Sequence, residues 1–139
     1  MKVVIAEDSL LVCARLVTML AEFKQVEVVG HAQNGHDAIL LIRTLKPDVV
    51  ILDIQMARGS GIDVLEQSKK EQPSLVAIML SNHSTPHHRA KCLEAGANFF
   101  FDKSTEFMVL QELFAEMILH AHRLPLFDWT NKKLQRFSE

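Results

Sequence analysis

The stretch Asp48-Val49-Val50-Ile51-Leu52-Asp53 is the most informative part of the sequence, because four consecutive apolar residues are followed by a single carboxylate. The run is short, rich in β-branched residues and free of polar alternation. This pattern is typical of a central strand in a parallel sheet that is covered on both faces. Such a strand carries Asp53 to its carboxyl end, which is the edge where ligands bind in open α/β sheets.

Three further apolar runs are followed by polar or charged residues in the same way. They are residues 3–6 with Glu7 and Asp8, residues 75–80 with Ser81, and residues 99–102 with Lys103. If these strands are parallel, three acids, a hydroxyl and an ammonium group meet at one edge of the sheet. No single one of these residues is diagnostic, but their convergence predicts a functional site.

Helices are predicted between the strands, and residues 26–32 complete a set of five strands. Ser9 caps a first helix that extends to about residue 23, and Asn34 caps a second helix that Pro47 stops. Gly61 lies in the loop that opens a third helix. A fourth helix covers about residues 86–95, with Gly96 at its C-cap, and a fifth covers about residues 105–122. Five βα units with short connections predict an α/β fold, a doubly wound parallel sheet with helices on both faces.

The helical periodicity also predicts which side chains face the core. For the first helix the predicted inner residues are Leu10, Cys13, Ala14, Val17 and Leu20. For the last helix they are Phe107, Leu110, Phe114, Met117, Ile118 and Ala121. Met108, Val109, Ala115 and Leu119 fall outside that inner stripe, and they are interpreted equally well as a broad buried face or as a partner-binding patch.

Composition restricts the function classes. The chain has 139 residues and a net charge of −2, so it is sized for one domain and implies no polyanion partner such as nucleic acid. No run approaches the length of a membrane span, and no signal peptide is expected. Cys13 and Cys92 are interpreted as buried reduced thiols, which together with these absences favours the cytoplasm.

The clustered acids suggest a specific chemistry. Carboxylates held as close as Glu7, Asp8 and Asp53 repel one another, so a pKa rises or a cation enters. Oxygen ligands of this kind suit Mg²⁺, which favours phosphate substrates. Asp53 is then a candidate nucleophile for forming an acyl phosphate, while Lys103 and Ser81 stabilise the phosphoryl oxygens.

At this point the sequence closely resembles the receiver domain of bacterial two-component response regulators, over residues 1 to about 122. The resemblance is carried by Glu7-Asp8, Asp53, Ser81, Ala95-Gly96-Ala97, Phe100 and Lys103. It implies a flavodoxin-like fold with strand order 2-1-3-4-5, a receiver domain over residues 1–123 and a C-terminal extension over residues 124–139. It also implies a signalling domain and not an enzyme, with at most self-catalysed phosphorylation and dephosphorylation.

The resemblance implies roles for individual residues. Asp53 would accept the phosphoryl group from a histidine kinase or phosphotransfer protein, with Ser81 and Phe100 as switch residues. Mg²⁺ or Mn²⁺ would be held by Asp8, Asp53, Glu7 through water, and the backbone carbonyl of Gln55. Gln55 and His83 would tune the lifetime of the phosphoryl group. The sequence departs from the family where Ala57, Asn82 and Ser104 replace the usual proline, small residue and proline.

Four alternatives to a phosphorylated receiver domain are compatible with parts of the sequence. A phosphatase of the haloacid dehalogenase type needs an acid two residues after its nucleophile, where this chain has Gln55. An unphosphorylated interaction module would not need the intact set of acids, hydroxyl and lysine. A zinc site formed by His83, His87 and His88 lacks a cysteine or carboxylate ligand, so solvated histidines are favoured. A fragment of a larger DNA-binding regulator is a further alternative.

The surface formed by the fourth helix, fifth strand and fifth helix is predicted to bind the partner that receives the signal. Arg89, Lys91, Met108, Val109, Glu112 and Leu119 make a mixed patch there. In the tail, Asp128 can cap a short helix with Trp129, Leu134 and Phe137 on one side, which would dock on its own domain or on a second copy. The alternative, that the tail begins a linker to a further domain, carries equal weight.

Overall fold

The computed structural model describes residues 1–82 and 85–121 and has a three-layer α/β architecture. The strands are β1 (Lys2–Ala6), β2 (Glu27–Ala32), β3 (Val49–Asp53), β4 (Val76–Ser81) and β5 (Phe99–Asp102). The helices are α1 (Leu10–Leu20), α2 (Gly35–Leu45), α3 (Gly61–Glu71), α4 (Pro86–Glu94) and α5 (Phe107–Leu119). The strands form one parallel sheet in the order β2-β1-β3-β4-β5, which confirms the predicted fold class.

The central strand β3 is buried on both sides, as its unbroken apolar run predicts. Val49 and Ile51 pack into a core cluster with α1 and α5. Val50 and Leu52 pack into a second cluster with α2, α3 and α4. Successive side chains of a strand point to opposite faces, so one short segment holds both cores together and fixes the position of Asp53.

The prediction for the inner face of α1 is partly wrong. Cys13 and Leu20 are buried, but Leu10 is 64% exposed, Val17 is 41% exposed, and Ala14 is also exposed. The buried stripe uses Leu16 and Met19 instead. The helix itself has apolar residues on most of its sides, so the spacing of those residues does not show which side faces the sheet. The helix also ends at Leu20, three residues before the predicted end.

The prediction for α5 holds for its centre and fails at its start. Leu110, Phe114 and Met117 are buried, Leu113 joins them, and Phe107, Ile118 and Ala121 are only partly buried. Met108 and Leu119 are exposed, so they do not belong to a broad buried face. The helix begins at Phe107 and not near residue 105, because residues 103–105 form a separate turn.

Tight backbone packing sets the distance between β3 and α3. The amide of Gly61 donates to the carbonyl of Ile54 at 2.7 Å, just beyond the end of β3. A Cβ atom at Gly61 would collide with the carbonyl oxygen of Asp53. A glycine is therefore required where α3 begins, and α3 starts directly behind the carboxylate that ends β3.

Candidate functional site

The register of the sheet brings the predicted site residues to one edge. Ala6 pairs with Leu52, so Glu7 follows β1 beside Asp53. Asp53 pairs with Leu80, which places Ser81 one residue further along β4. The backbone amide of Lys103 donates to the carbonyl of Ser81 at 3.0 Å, which continues the pairing of β4 and β5 past its end. Parallel pairing thus gathers residues that are up to 96 positions apart.

Lys103 is the centre of the charged contacts. Its Nζ atom lies 2.9 Å from both carboxylate oxygens of Glu7, with hydrogen-bond geometry to Oε1. The same Nζ lies 3.0 Å from Oδ2 of Asp53. The exposed fractions of the side chains of Lys103, Glu7 and Asp53 are 9%, 1% and 6%. This is a buried ion triad, in which each charge depends on the others for compensation.

The triad carries more negative than positive charge. Burial raises the pKa of Glu7 above its ordinary value of 4.5, and the hydrogen bond from Lys103 offsets this only in part. Burial also raises the pKa of Asp53 above 3.8, with Lys103 and the Gln55 amide opposing it and Asp8 adding to it. Burial lowers the pKa of Lys103, but its hydrogen bonds to the two carboxylates outweigh this and the net pKa is raised. One ammonium group between two buried carboxylates leaves the site attractive to a further cation.

The acidic residues have a geometry that suits a small metal ion. Glu7, Asp8 and Asp53 each offer one oxygen, and these oxygens lie within 4.8 Å of one another. Oxygen ligands on opposite sides of an octahedral Mg²⁺ are about 4 Å apart, so small side-chain movements would suffice. Glu7 Oε2 is buried and has only its ionic contact with Lys103 at 2.9 Å, and Asp8 is exposed at the mouth of the site. The donor set therefore fits a hard cation that keeps several waters.

The site opens to solvent through a small polar cleft of about 200 Å³. Its lining residues are Asp8, Asp53, Gln55, Ser81, Asn82 and Lys103. The backbone amide of Gln55 donates to Oδ1 of Asp53 at 3.2 Å, and the Gln55 side chain is exposed at the rim. The cleft is large enough for a phosphoryl group and too small for an extended organic ligand.

Phe100 lies behind this cleft and not in it. The ring is 1% exposed, and the guanidinium carbon of Arg89 lies 5.0 Å above the ring centroid. Arg89 also lies 3.7 Å from Oε1 of Glu106 at the start of α5. A cation over a buried ring adds a favourable electrostatic contact, so Arg89 of α4 stabilises the buried position of Phe100.

The structure also bears on the predictions for Ser81, the histidines and the cysteines. Ser81 is 2% exposed and lines the cleft, as expected. His83 and the predicted helix after Asp128 lie outside the described residues. Within residues 1–82 and 85–121, the cluster of three potential metal-binding side chains is the acidic one, and His87 and His88 do not join such a cluster. Both cysteines are buried and unpaired with each other, as predicted.

The sequence pattern did not predict the network that follows β5. Asp102 is the last residue of β5, and its carboxylate also organises the turn that contains Lys103. The turn has the sequence Asp102-Lys103-Ser104-Thr105-Glu106. Aspartate and serine are residues that favour turns, because their side chains hydrogen-bond nearby backbone groups. The peptide bond between Lys103 and Ser104 is trans, as are the others in the described ranges.

Comparison with known proteins agrees with this geometry. The sequence model of the response regulator receiver domain matches residues 3–115. The chain therefore belongs to the response regulator receiver domain family of two-component signalling systems. The family includes both transcriptional regulators and proteins of other activity, so membership alone does not identify the output.

Two curated relatives illustrate this range. The chain is 35% identical over 106 residues to the uncharacterized transcriptional regulatory protein YhcZ of Bacillus subtilis, covering 76% of this chain and 50% of that protein. It is 39% identical over 115 residues to the protein-glutamate methylesterase/protein-glutamine glutaminase 1 of Carboxydothermus hydrogenoformans, covering 81% of this chain and 34% of that protein. The chain thus spans half or less of the length of these relatives.

Solved structures show the same fold. The response regulator domain of Thermotoga maritima CheB superposes with a TM-score of 0.77 at 27% identity, covering 92% of this chain and 98% of that one. The signal receiver domain of the response regulator NarL from Mycobacterium tuberculosis superposes with a TM-score of 0.74 at 27% identity, covering 86% and 94%. In the described part of this chain, no helix is both long and apolar enough to cross a membrane.

Proposed function

We propose that the chain is a phosphorylation-controlled switch in which Asp53 accepts a phosphoryl group. The observation that supports this most is the contact of one buried ammonium group, Lys103 Nζ, with both Asp53 and Glu7 at the end of the central strands. Receiver domains interact with histidine kinases or phosphotransfer proteins, whose phosphohistidine is the proposed donor. The bond between phosphorus and the histidine nitrogen breaks as the bond between phosphorus and an Asp53 oxygen forms.

Each residue of the cleft has a task in this reaction. Lys103 offsets the charge that accumulates on the phosphoryl oxygens, and the Ser81 hydroxyl donates a hydrogen bond to one of them. Asp8 and Asp53, with Glu7 through water and the Gln55 carbonyl, would hold Mg²⁺ or Mn²⁺. When bound, the metal would supply further positive charge to the transferring group. The protein contributes position and electrostatics, which are the main requirements of phosphoryl transfer.

The proposed switch couples the cleft to the neighbouring surface of α4, β5 and α5. A phosphoryl group on Asp53 adds negative charge that attracts Ser81 and Lys103. Ser81 belongs to β4, which pairs with β5 and so with Phe100. A shift at Ser81 is thereby passed to the ring of Phe100 and to α4 and α5, and a two-state equilibrium is biased by one local charge.

The test of this function is a mass measurement. The chain is incubated with acetyl phosphate and Mg²⁺, and the intact protein is weighed. A gain of one phosphoryl group is expected, and it should be lost when a chelator removes the metal. An interaction module that has kept only the fold would show no gain, and a phosphatase would release inorganic phosphate from many monoesters without a stable adduct.

Gln55 is predicted to set the lifetime of the phosphoryl group. Its exposed side chain stands two residues after Asp53 at the rim of the cleft, where water would approach the phosphorus atom. Replacing Gln55 with alanine should change the rate of dephosphorylation several-fold and leave the free energy of unfolding nearly unchanged. The decay of the phosphorylated protein after removal of the donor measures this.

A matched exposed residue provides the control for Gln55. Gln67 lies on α3 and bonds Glu71, away from the cleft, so Gln67→Ala should leave the decay unchanged. Equal decay in wild type and Gln55→Ala would contradict the proposed role. His83, two residues after Ser81, is proposed to share this role.

The surface of α4, β5 and α5 is proposed to pass the signal on by binding a second copy of the chain or a partner protein. Met108 and Leu119 are 75% and 68% exposed there, and Arg89 connects the surface to Phe100. We predict that phosphorylation strengthens a homodimer or partner complex formed by this surface. Sedimentation with and without beryllofluoride measures it, and Met108→Glu should weaken any dimer. Identical monomers in every case would contradict dimerisation.

The cellular setting follows from the same chemistry. Phosphoryl donors of this kind are supplied inside the cell, and the two cysteines are free thiols, so we propose a cytoplasmic protein. Because the chain covers half or less of its curated relatives, the domain that it controls in a longer protein is also a matter of proposal. A receiver boundary near residue 123 remains a prediction.

A further inference from the structure

The side chain of Asp102, the last residue of β5, accepts three hydrogen bonds. Its Oδ1 atom accepts from the Ser104 amide at 2.8 Å, the Ser104 hydroxyl at 2.7 Å and the Thr105 amide at 3.1 Å. All three donors follow Lys103 in the chain. The carboxylate therefore closes a turn around Lys103, in the manner of an Asx turn.

Glu106 completes the turn from its other side. Oε1 of Glu106 accepts from the Asp102 amide at 2.9 Å, and the Glu106 amide donates to the Asp102 carbonyl at 3.1 Å. Glu106 is therefore joined to the backbone of Asp102 by two bonds, one through its side chain and one through its own amide. The backbone of Lys103 is held between them, and its own amide is bonded to Ser81.

Ser104 contributes two of the bonds to Asp102, one from its backbone amide and one from its hydroxyl. A proline at position 104 has neither group and could make neither bond. The turn would then keep only the bond from the Thr105 amide to the Asp102 side chain. Asp102 supplies the acceptor oxygen, and Ser104 supplies two of its hydrogen-bond donors.

The position of the turn matters because a lysine side chain is long and flexible. Four rotatable bonds separate the backbone of Lys103 from Nζ, which must reach both Glu7 and Asp53. A backbone that is fixed at Asp102 and Glu106 limits where Nζ can go. Misplacement of a catalytic group by about 1 Å can cost as much as 10²-fold in rate.

We propose that Asp102 is a positioning residue for phosphoryl transfer, which holds Lys103 against Asp53 through the turn that it forms with Ser104, Thr105 and Glu106. This inference rests on the proposed function of Asp53. Asp102 itself does not contact the cleft-facing atoms of the triad in any of the contacts described above. Its effect is exerted through the backbone on either side of Lys103.

The experiment uses two matched pairs of variants of the full chain. Asp102→Ala removes the acceptor, whereas Asp102→Asn keeps an oxygen in the same place. Glu106→Ala removes the return bond, whereas Glu106→Gln keeps it. Asp48→Ala is the control, because Asp48 also accepts a backbone amide, from Lys2 at 2.8 Å, but lies at the opposite edge of the sheet.

Two quantities are measured for each variant. The first is the rate of phosphorylation by acetyl phosphate with saturating Mg²⁺. The second is the labelling of the Lys103 amine by acetic anhydride without metal or phosphodonor, located by peptide mass. Asp102→Ala is expected to phosphorylate about 10- to 100-fold more slowly and to label Lys103 faster, while Asp102→Asn restores both values. Glu106→Ala should show the same changes to a smaller degree, and Glu106→Gln should restore them.

The outcomes separate this inference from the proposed function. Wild-type rate and wild-type protection of Lys103 in Asp102→Ala would overturn the positioning role, as would an Asp102→Asn variant no better than alanine. If Asp102→Ala does not fold, the Glu106 pair decides in the same way. If wild type takes up no phosphoryl group, the proposed function fails, whereas the labelling of Lys103 still shows whether Asp102 positions the amine.

Discussion

Replacing Asp53 with asparagine should abolish phosphoryl incorporation. Asparagine has nearly the same shape, and its amide oxygen can still accept from the Gln55 amide and from Lys103. It lacks the carboxylate that attacks phosphorus, so the variant should fold and yet remain unlabelled. Mass measurement after incubation with acetyl phosphate and Mg²⁺ is the readout.

The chain supplies a matched control for this variant. Asp48 precedes the same strand at its other end and is exposed. Asp48→Asn should be labelled like wild type, because Asp48 is far from Lys103 and the acidic cluster. Full labelling of Asp53→Asn would show that another residue accepts the phosphoryl group, and the proposed function of Asp53 would be wrong.

Replacing Asp8 with alanine should remove both Mg²⁺ binding and phosphorylation. Asp8 is the exposed member of the acidic cluster, and it supplies one of the three oxygens that lie within 4.8 Å of one another. Without it, Lys103 still compensates Asp53 and Glu7, so the fold should persist. Calorimetric titration with Mg²⁺ and the rate of phosphorylation measure the two losses.

The free energy of unfolding adds a test whose sign is determined by the pKa shifts. Burial raises the folded-state pKa values of Glu7 and Asp53 above 4.5 and 3.8. Their contribution to stability is therefore complete below those ordinary values and is lost as pH rises through the raised ones. Without metal, this contribution should fall as the pH rises from those ordinary values toward 7, and Mg²⁺ should reduce the loss of stability.

The Asp8 variant should reverse the order of stabilities when metal is added. Asp8 contributes to the raised pKa of Asp53, so Asp8→Ala should stabilise the metal-free protein at pH 7. Wild type should gain about 1.4 kcal/mol at Mg²⁺ concentrations ten times its dissociation constant, and the variant should gain almost nothing. Asp48→Ala should respond to Mg²⁺ like wild type. Phosphorylation that survives chelation of all divalent metal would contradict this account.

Strong local patterns account for what could be predicted. The unbroken apolar run of residues 49–52 requires burial on both faces, and the alternation of strands and helices requires parallel crossovers. The structure confirms the resulting fold class, and it also confirms the strand order that the resemblance to receiver domains implied. Because parallel strands all end at one edge, the meeting of Asp53, Glu7 and Lys103 was implied by three separate strand ends.

The predictions for the buried face of α1 and the start of α5 were wrong, because the local sequence is compatible with more than one structure at both places. The first helix has apolar residues on nearly every side, and only contact with the sheet decides that Leu16 is buried while Leu10 and Val17 are exposed. The start of α5 was misplaced because residues 103–105 have no strong preference of their own. Their turn exists because Asp102 and Glu106 meet there.

The class of fold, the order of its elements and the set of charged residues at one edge could all be predicted from the amino-acid sequence. These features depend on hydrophobic burial and on backbone pairing, which produce patterns in short segments. Three contacts could be found in the folded structure alone: Lys103 with both Asp53 and Glu7, Arg89 with Phe100, and Asp102 with the turn after Lys103. Such contacts depend on distances of a few ångströms between side chains, and those distances are set by packing and not by any local pattern.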